Sequence, residues 1–157
     1  LQGHDVLELG CGAGFYTRLL LERGANHVYA VDKSPVMIAM LPKHRVTGLV
    51  GEAETISIEN KFDRILSAGL LEFVDNPTRV LKNARAHANN GAIFVIHAPL
   101  KNFWGNLYRQ YHKKNGLSIN LFDIPDLESV ASDTGWFPMA SKTVWPFAVQ
   151  LKLRAEA

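Results

Sequence analysis

The chain has 157 residues, a length that suits one domain, and 47% of them are apolar, enough to build a substantial core. Seventeen basic against fifteen acidic residues leave a formal charge of +2, which excludes the strongly basic balance of a nucleic-acid binder. A lone cysteine, Cys11, excludes an intrachain disulfide and fits a reducing, cytoplasmic setting, and no apolar run approaches the ~18 residues of a membrane span.

The opening stretch Val6-Leu7-Glu8-Leu9 is strand-like and runs into Gly10-Cys11-Gly12-Ala13-Gly14. Phe15 to Arg23 then reads as a helix. Glycines at such a turn let a ligand lie against bare backbone, and the helix start presents free N–H groups to an anionic group. A dinucleotide fingerprint needs G-x-G-x-x-G. Here the third glycine, Gly14, arrives one residue early, and Phe15 stands where the last glycine belongs. Cys11, inside this loop, reads as a small filler and not a nucleophile.

The second strand, His27 to Val31, ends in Asp32, an acid placed to accept hydrogen bonds from both hydroxyls of a ribose. Bonds to a charged acceptor contribute about 1.5–3 kcal/mol. The competing reading of Asp32 is an acid at a helix start ahead of Pro35. A third strand, Arg45 to Val50, precedes Gly51-Glu52-Ala53-Glu54, and a fourth, Phe62 to Ser67, precedes Ala68-Gly69-Leu70-Leu71-Glu72-Phe73-Val74-Asp75-Asn76-Pro77. A helix over Thr78–Ala88, a stop at Asn89-Asn90-Gly91 and a fifth strand over Ala92–His97 follow.

Glu8-x-Gly10-x-Gly12-x-Gly14 resembles motif I of the class I S-adenosylmethionine-dependent methyltransferases, and Val28 to Ser34 resembles the segment that follows it. Gly51 to Glu54 resembles the adenine-reading segment of that family, and Phe62 to Pro77 resembles motif IV of its small-molecule branch. The likeness spans four motifs in the right order, from residue 4 to about residue 98, and extends weakly to quinone-biosynthesis enzymes. It implies S-adenosylmethionine as cofactor. Glu8, Gly10, Cys11, Gly12 and Gly14 would form the glycine turn, with Asp32 on the ribose and Lys33 beside the adenine. Glu52 would accept from the adenine amine, the Ala53 amide would donate to a ring nitrogen, and the backbone after Ser67 would face the methionine end. Glu54 reads as a solvated loop acid.

Alternating strands and helices give an α/β fold, a three-layer sandwich with a ligand at the carboxyl ends of the strands. Trp136 to Trp145 and Pro146 to Arg154 are two β-rich runs with no helix between them, so they are antiparallel. The expected sheet is seven-stranded and mostly parallel, with an antiparallel last strand, as in the family. The whole of 1–157 is read as one cofactor-binding domain, with residues 99–125 as a substrate-side insertion. The chain enters its first strand within a few residues, so the N-terminal lid helices usual in the family look absent. Either this is a fragment, or the lid comes from another chain or an oligomer.

Within the insertion, Trp104, Leu107, Tyr108 and Tyr111 recur at helical spacing, and Gly116 closes the pattern. Tyr111 and His112 are the candidate catalytic or acceptor-orienting groups, with His97 an alternative; Arg109, Lys113 and Lys114 read as a solvated face that would suit an acidic substrate. No Cys/His/Asp cluster has metal-ligand spacing, so no metal is expected. The expected activity is methyl transfer to an O, N or C atom of a small-molecule acceptor, by in-line displacement at a sulfonium. A non-catalytic S-adenosylmethionine-binding module and an NAD-dependent oxidoreductase are the rival readings.

Overall fold

The computed structural model describes residues 1–156 and consists of one seven-stranded sheet flanked by helices on both faces. In chain order the elements are β1 (Asp5–Leu9), α1 (Phe15–Glu22), β2 (His27–Asp32), α2 (Pro35–Ala39), β3 (Val46–Val50) and β4 (Phe62–Ala68). A 3-10 turn (Leu71–Phe73), α3 (Pro77–Ala86), β5 (Ala88–Pro99), α4 (Phe103–Lys114), α5 (Ile124–Asp133), β6 (Trp136–Val144) and β7 (Ala148–Ala155) complete the fold. The strand order is β3-β2-β1-β4-β5-β7-β6. Strands β1 to β5 are mutually parallel, and β7 runs antiparallel to both β5 and β6. The expected antiparallel last strand is therefore β7, inserted between β5 and the edge strand β6.

Period-two alternation along the strands feeds two cores. Leu7 and Leu9 of β1 join Phe62, Ile65, Phe94 and Trp136 on the face covered by α3 and α5. Val6 faces the other way, with Val28, Ala30, Leu20 and Leu41, under α1 and α2. Parallel strands buried on both faces need apolar side chains at both parities, as VLEL and HVYAVD supply. Two helix starts follow from a side-chain cap and a proline in the first turn: the Ser34 hydroxyl accepts from the Met37 N–H, and Asn76 Oδ1 accepts from the Arg79 N–H at 3.2 Å.

One expected boundary differs. Asn89-Asn90-Gly91 does not separate helix from strand; β5 already begins at Ala88, opposite Phe62, and its register then jumps so that Ile93 faces Arg64. The three residues form a bulge. Gly91 takes the left-handed φ of 76° that absorbs the extra length, and Asn89 Nδ2 donates to Asp63 Oδ1 at 2.9 Å across the step. Among the described residues, no helix is long and apolar enough to cross a membrane.

Candidate functional site

The carboxyl ends of β1 to β5 all open on the same edge of the sheet. There the Gly10 and Cys11 N–H groups both donate to the Val31 carbonyl, at 2.8 and 3.0 Å, which ties the glycine turn to the end of β2. Gly10 has a φ of 76°, and a Cβ on it would sit 2.8 Å from Leu70 Cβ, so the turn and the segment after β4 come together only because this residue has no side chain. Gly12, with a φ of 50°, has no atom within 4 Å of the position a Cβ would take. Its bare backbone faces open space.

Asp32 closes the corner. Its Oδ2 accepts from the Gly12 N–H and its Oδ1 from the Ser34 N–H, both at 2.9 Å. Each oxygen keeps a further lone pair for a ligand hydroxyl. Asp32 thus braces the glycine turn and keeps acceptor capacity free, and the helix-start reading of this acid passes to Ser34.

A cavity of about 470 Å³ lies against this corner. Gly10, Gly12, Asp32, Lys33, Glu52 and Ala53 share its wall, so six of the ten expected cofactor contacts converge on one space. Glu54 and Asp75 line it too, so the loop that carries Glu54 borders the cavity. Gly69, Leu70, Phe73 and Val74 continue the wall next to the glycine turn, and Leu117 and Ser118 from the insertion also line it.

The other four expected residues lie outside that wall. Gly14 is the N-terminal boundary residue of α1. Ser67 is buried, pairs with Leu9 across β1 and β4, and its Oγ has no hydrogen-bond partner. Cys11 is buried, and burial pushes its thiol up to about 12, so it stays protonated as a filler. Glu8 is only 2% exposed, and Thr17 Oγ1 donates to its Oε2 at 2.6 Å, joining β1 to α1. Burial pushes the Glu8 carboxyl up to about 7, the Thr17 bond opposing and the Asp32 charge adding to the shift. Glu8 acts from behind the turn.

Of the candidate catalytic pair, Tyr111 is 65% exposed, and His112 lies edge-on to Tyr108 at 4.5 Å and to Phe73 at 5.5 Å. Phe73 is a wall residue, so His112 stands one ring behind the cavity. His97 lies two residues before the end of β5 with its Nδ1 buried and unbonded, and burial lowers its pKa.

Two residues carry roles that the sequence reading did not assign. Glu72, in the 3-10 turn, is 5% exposed with Oε2 unbonded, and burial pushes it up to about 7. Its position inside the motif IV stretch was the available signal. Asn120 ties the insertion to the same turn: its N–H donates to the Glu72 carbonyl and its Nδ2 to the Val74 carbonyl, both at 2.8 Å. Nothing local in the sequence marks it.

Glu8 and Glu72 make the stability of the fold depend on pH. Each binds its proton more tightly in the folded chain than at its ordinary value of 4.5. The stability each contributes is therefore complete below about pH 4.5 and is lost as the pH rises through about 7. We expect denaturant unfolding to show a loss on the order of 2–3 kcal/mol per carboxyl between pH 5 and 8. Glu8→Gln or Glu72→Gln each removes its share of that slope; an unchanged slope in both would contradict the assignment.

The sequence profile of a methyltransferase domain matches residues 7–96. The chain belongs to this family. This methyltransferase domain is 32% identical over 115 residues to a ubiquinone biosynthesis O-methyltransferase of Coxiella burnetii, an alignment covering 69% of the chain and 49% of that protein. The domain spans about half the length of the curated relatives it matches. An S-adenosylmethionine-dependent methyltransferase from Mesorhizobium loti superposes with a TM-score of 0.81 at 16% identity, over 98% of this chain and 91% of that one. Magnesium protoporphyrin IX methyltransferase from Synechocystis, solved with bound S-adenosylhomocysteine, gives 0.78 at 15% identity, over 99% of this chain and 75% of that one. Both share the class I methyltransferase fold with this chain: a seven-stranded sheet with antiparallel β7, and helices on both faces.

Proposed function

We propose that this methyltransferase domain holds S-adenosylmethionine in the cavity beside Gly12 and Asp32 and passes its methyl group to an O, N or C atom of a small-molecule acceptor. The observation that carries this is the convergence of the glycine turn, the acid ending β2 and the Glu52–Ala53 segment on one space of nucleoside size. The residues fit the group. Asp32 has lone pairs to spare for ribose hydroxyls, and the Ala53 N–H has no protein acceptor among the described residues. Four carboxylates, Asp32, Glu52, Glu54 and Asp75, line the cavity against one cation, Lys33, a balance that favours a positively charged ligand.

When bound, the sulfonium supplies an activated methyl group whose leaving sulfur needs no proton. The protein's share is positioning and the exclusion of water, worth up to ~7–11 kcal/mol for well-aligned reactants. Asp32 orients the ribose, Glu52 and the Ala53 amide read the adenine, and Gly10 and Gly12 let the ligand approach the backbone. Phe73 of the cavity wall also meets His112 of α4, and we read α4 as the acceptor side. A base matters only for an acceptor that must lose a proton, and His112, Tyr111 and His97 are the groups in the acceptor quarter able to take part. We read residues 1–157 as one domain of a cytoplasmic enzyme, with 99–125 on its substrate side.

Thermal unfolding with added ligand tests the reading. S-adenosylhomocysteine at 100 times its Kd is expected to stabilise the chain by roughly 2.7 kcal/mol, and NAD is expected to have no effect. Stabilisation by NAD alone would reverse the assignment. Stabilisation by S-adenosylhomocysteine without methyl transfer to any member of an acceptor panel would leave a binding module.

A further inference from the structure

A second cavity, an open hollow of about 610 Å³ lined by exposed residues, adjoins the first and shares Leu117 and Ser118 with it. The two walls have opposite character. The first is lined by four carboxylates and one lysine, whereas Arg109, Gln110, Lys113 and Ser118 line the second and no acid does. Arg109 and Lys113 stand four residues apart on α4, on one face of the helix. Most of their donors are free: Arg109 spends one, from Nη2 to Asn106 Oδ1 at 2.8 Å, and Lys113 Nζ engages no acceptor among the described residues. Among the described residues the ion pairs are His4–Asp63 and Lys101–Asp123, so neither cation has a carboxylate partner. Ser118, at the junction of the cavities, offers both its N–H and its hydroxyl without a protein partner.

We infer that this second cavity is an oxyanion site, and that the methyl acceptor carries a carboxylate or phosphate which Arg109 and Lys113 hold while Ser118 marks the boundary with the cofactor cavity. The inference rests on the reading that the first cavity holds the methyl donor. The guanidinium fork and the ammonium together match a planar carboxylate or a tetrahedral phosphate. The acid-rich wall repels the same group. An anionic acceptor is thereby kept out of the donor cavity and oriented with its uncharged end toward Leu117 and Ser118. That polarity sorts the two ligands before any chemistry occurs.

Binding of benzoate, phenyl phosphate and neutral benzyl alcohol, followed by chemical-shift titration of the whole chain at low ionic strength, tests this without turnover. At least one anion is expected to bind about five-fold or more tightly than the alcohol, the preference shrinking as salt screens it. Which anion is favoured tells carboxylate from phosphate. The exposed double variant Arg109→Glu/Lys113→Glu is expected to lose the preference, while Lys114→Glu, the same kind of charge change outside the cavity wall, keeps it. Equal binding of all three probes overturns the inference. So does an effect of Lys114→Glu as large as that of the double variant, which would mean a diffuse field and not a site. S-adenosylhomocysteine stabilisation, measured in parallel, separates the two readings: its loss with the anion preference intact removes the proposed function and spares the site. Its retention with no anion preference does the reverse.

Discussion

Asp32→Ala is expected to weaken S-adenosylhomocysteine binding by about 100-fold or more, the largest effect of any single substitution on the ligand. The carboxylate is expected to accept from the ribose while it accepts from the Gly12 and Ser34 N–H groups at 2.9 Å each. Hydrogen bonds to a charged group contribute roughly 1.5–3 kcal/mol, so losing two ribose contacts already accounts for that factor. The brace is lost as well. Gly12 then has neither an acceptor nor a side chain to hold its backbone against the cavity. Asp32→Asn is a sharper probe, because an amide nitrogen placed toward Gly12 meets another donor, so the amide cannot satisfy both N–H groups. Titration calorimetry measures both variants, and a Kd for Asp32→Ala within three-fold of the parent would sink the site.

Trp136→Ala is expected to cost about 3–5 kcal/mol of stability, the largest effect of any substitution away from the cavity. Trp136 opens β6 at the sheet edge, is fully buried, and stacks obliquely on Phe94 of β5 with centroids 5.1 Å apart. Its Nε1 donates to the Leu81 carbonyl at 3.0 Å, so one side chain joins the β6–β7 hairpin to α3. Alanine leaves a cavity and an acceptor without its partner. For a chain of this size each kcal/mol moves the Tm by about 2–4 °C, so calorimetry should show a fall of roughly 6–20 °C. Trp136→Phe loses the hydrogen bond and one ring but keeps much of the packing, and its fall should be clearly smaller. A shift under 3 °C for Trp136→Ala would mean that the hairpin is not anchored this way.

These two residues differ in how readily the sequence shows them. Asp32 is legible because its role is local: it ends an apolar run twenty residues after Gly12, and that spacing is set by one strand, one helix and one turn. Trp136 is legible as a core residue, but the partner of its indole N–H lies 55 positions away on α3. The bulge at Asn89-Asn90-Gly91 shows the same limit, since turn-forming residues mark a break without saying whether it falls between elements or inside a strand. Tyr111 and Tyr108 share a helical stripe, yet the structure turns Tyr111 to solvent and stacks Tyr108 on Phe147 with centroids 4.8 Å apart. The helical spacing marks the stripe; only the neighbouring elements decide which part of it is covered.

What the sequence determined by itself is the order of strands and helices, the antiparallel hairpin at the end and the glycine turn that follows the first strand. Each of these depends on residues close together in the chain: period-two burial, glycines at a tight turn, a cap followed by proline. What only the tertiary structure decided is which segments share a wall. It placed Glu8 behind the turn, brought Glu54 and Asp75 into the cavity, bound Asn120 to the turn after β4, and set a cationic hollow against an acidic one. Those outcomes depend on contacts between residues tens of positions apart, whose geometry is fixed by how the sheet twists and how α4 seats on it, and no local pattern encodes that.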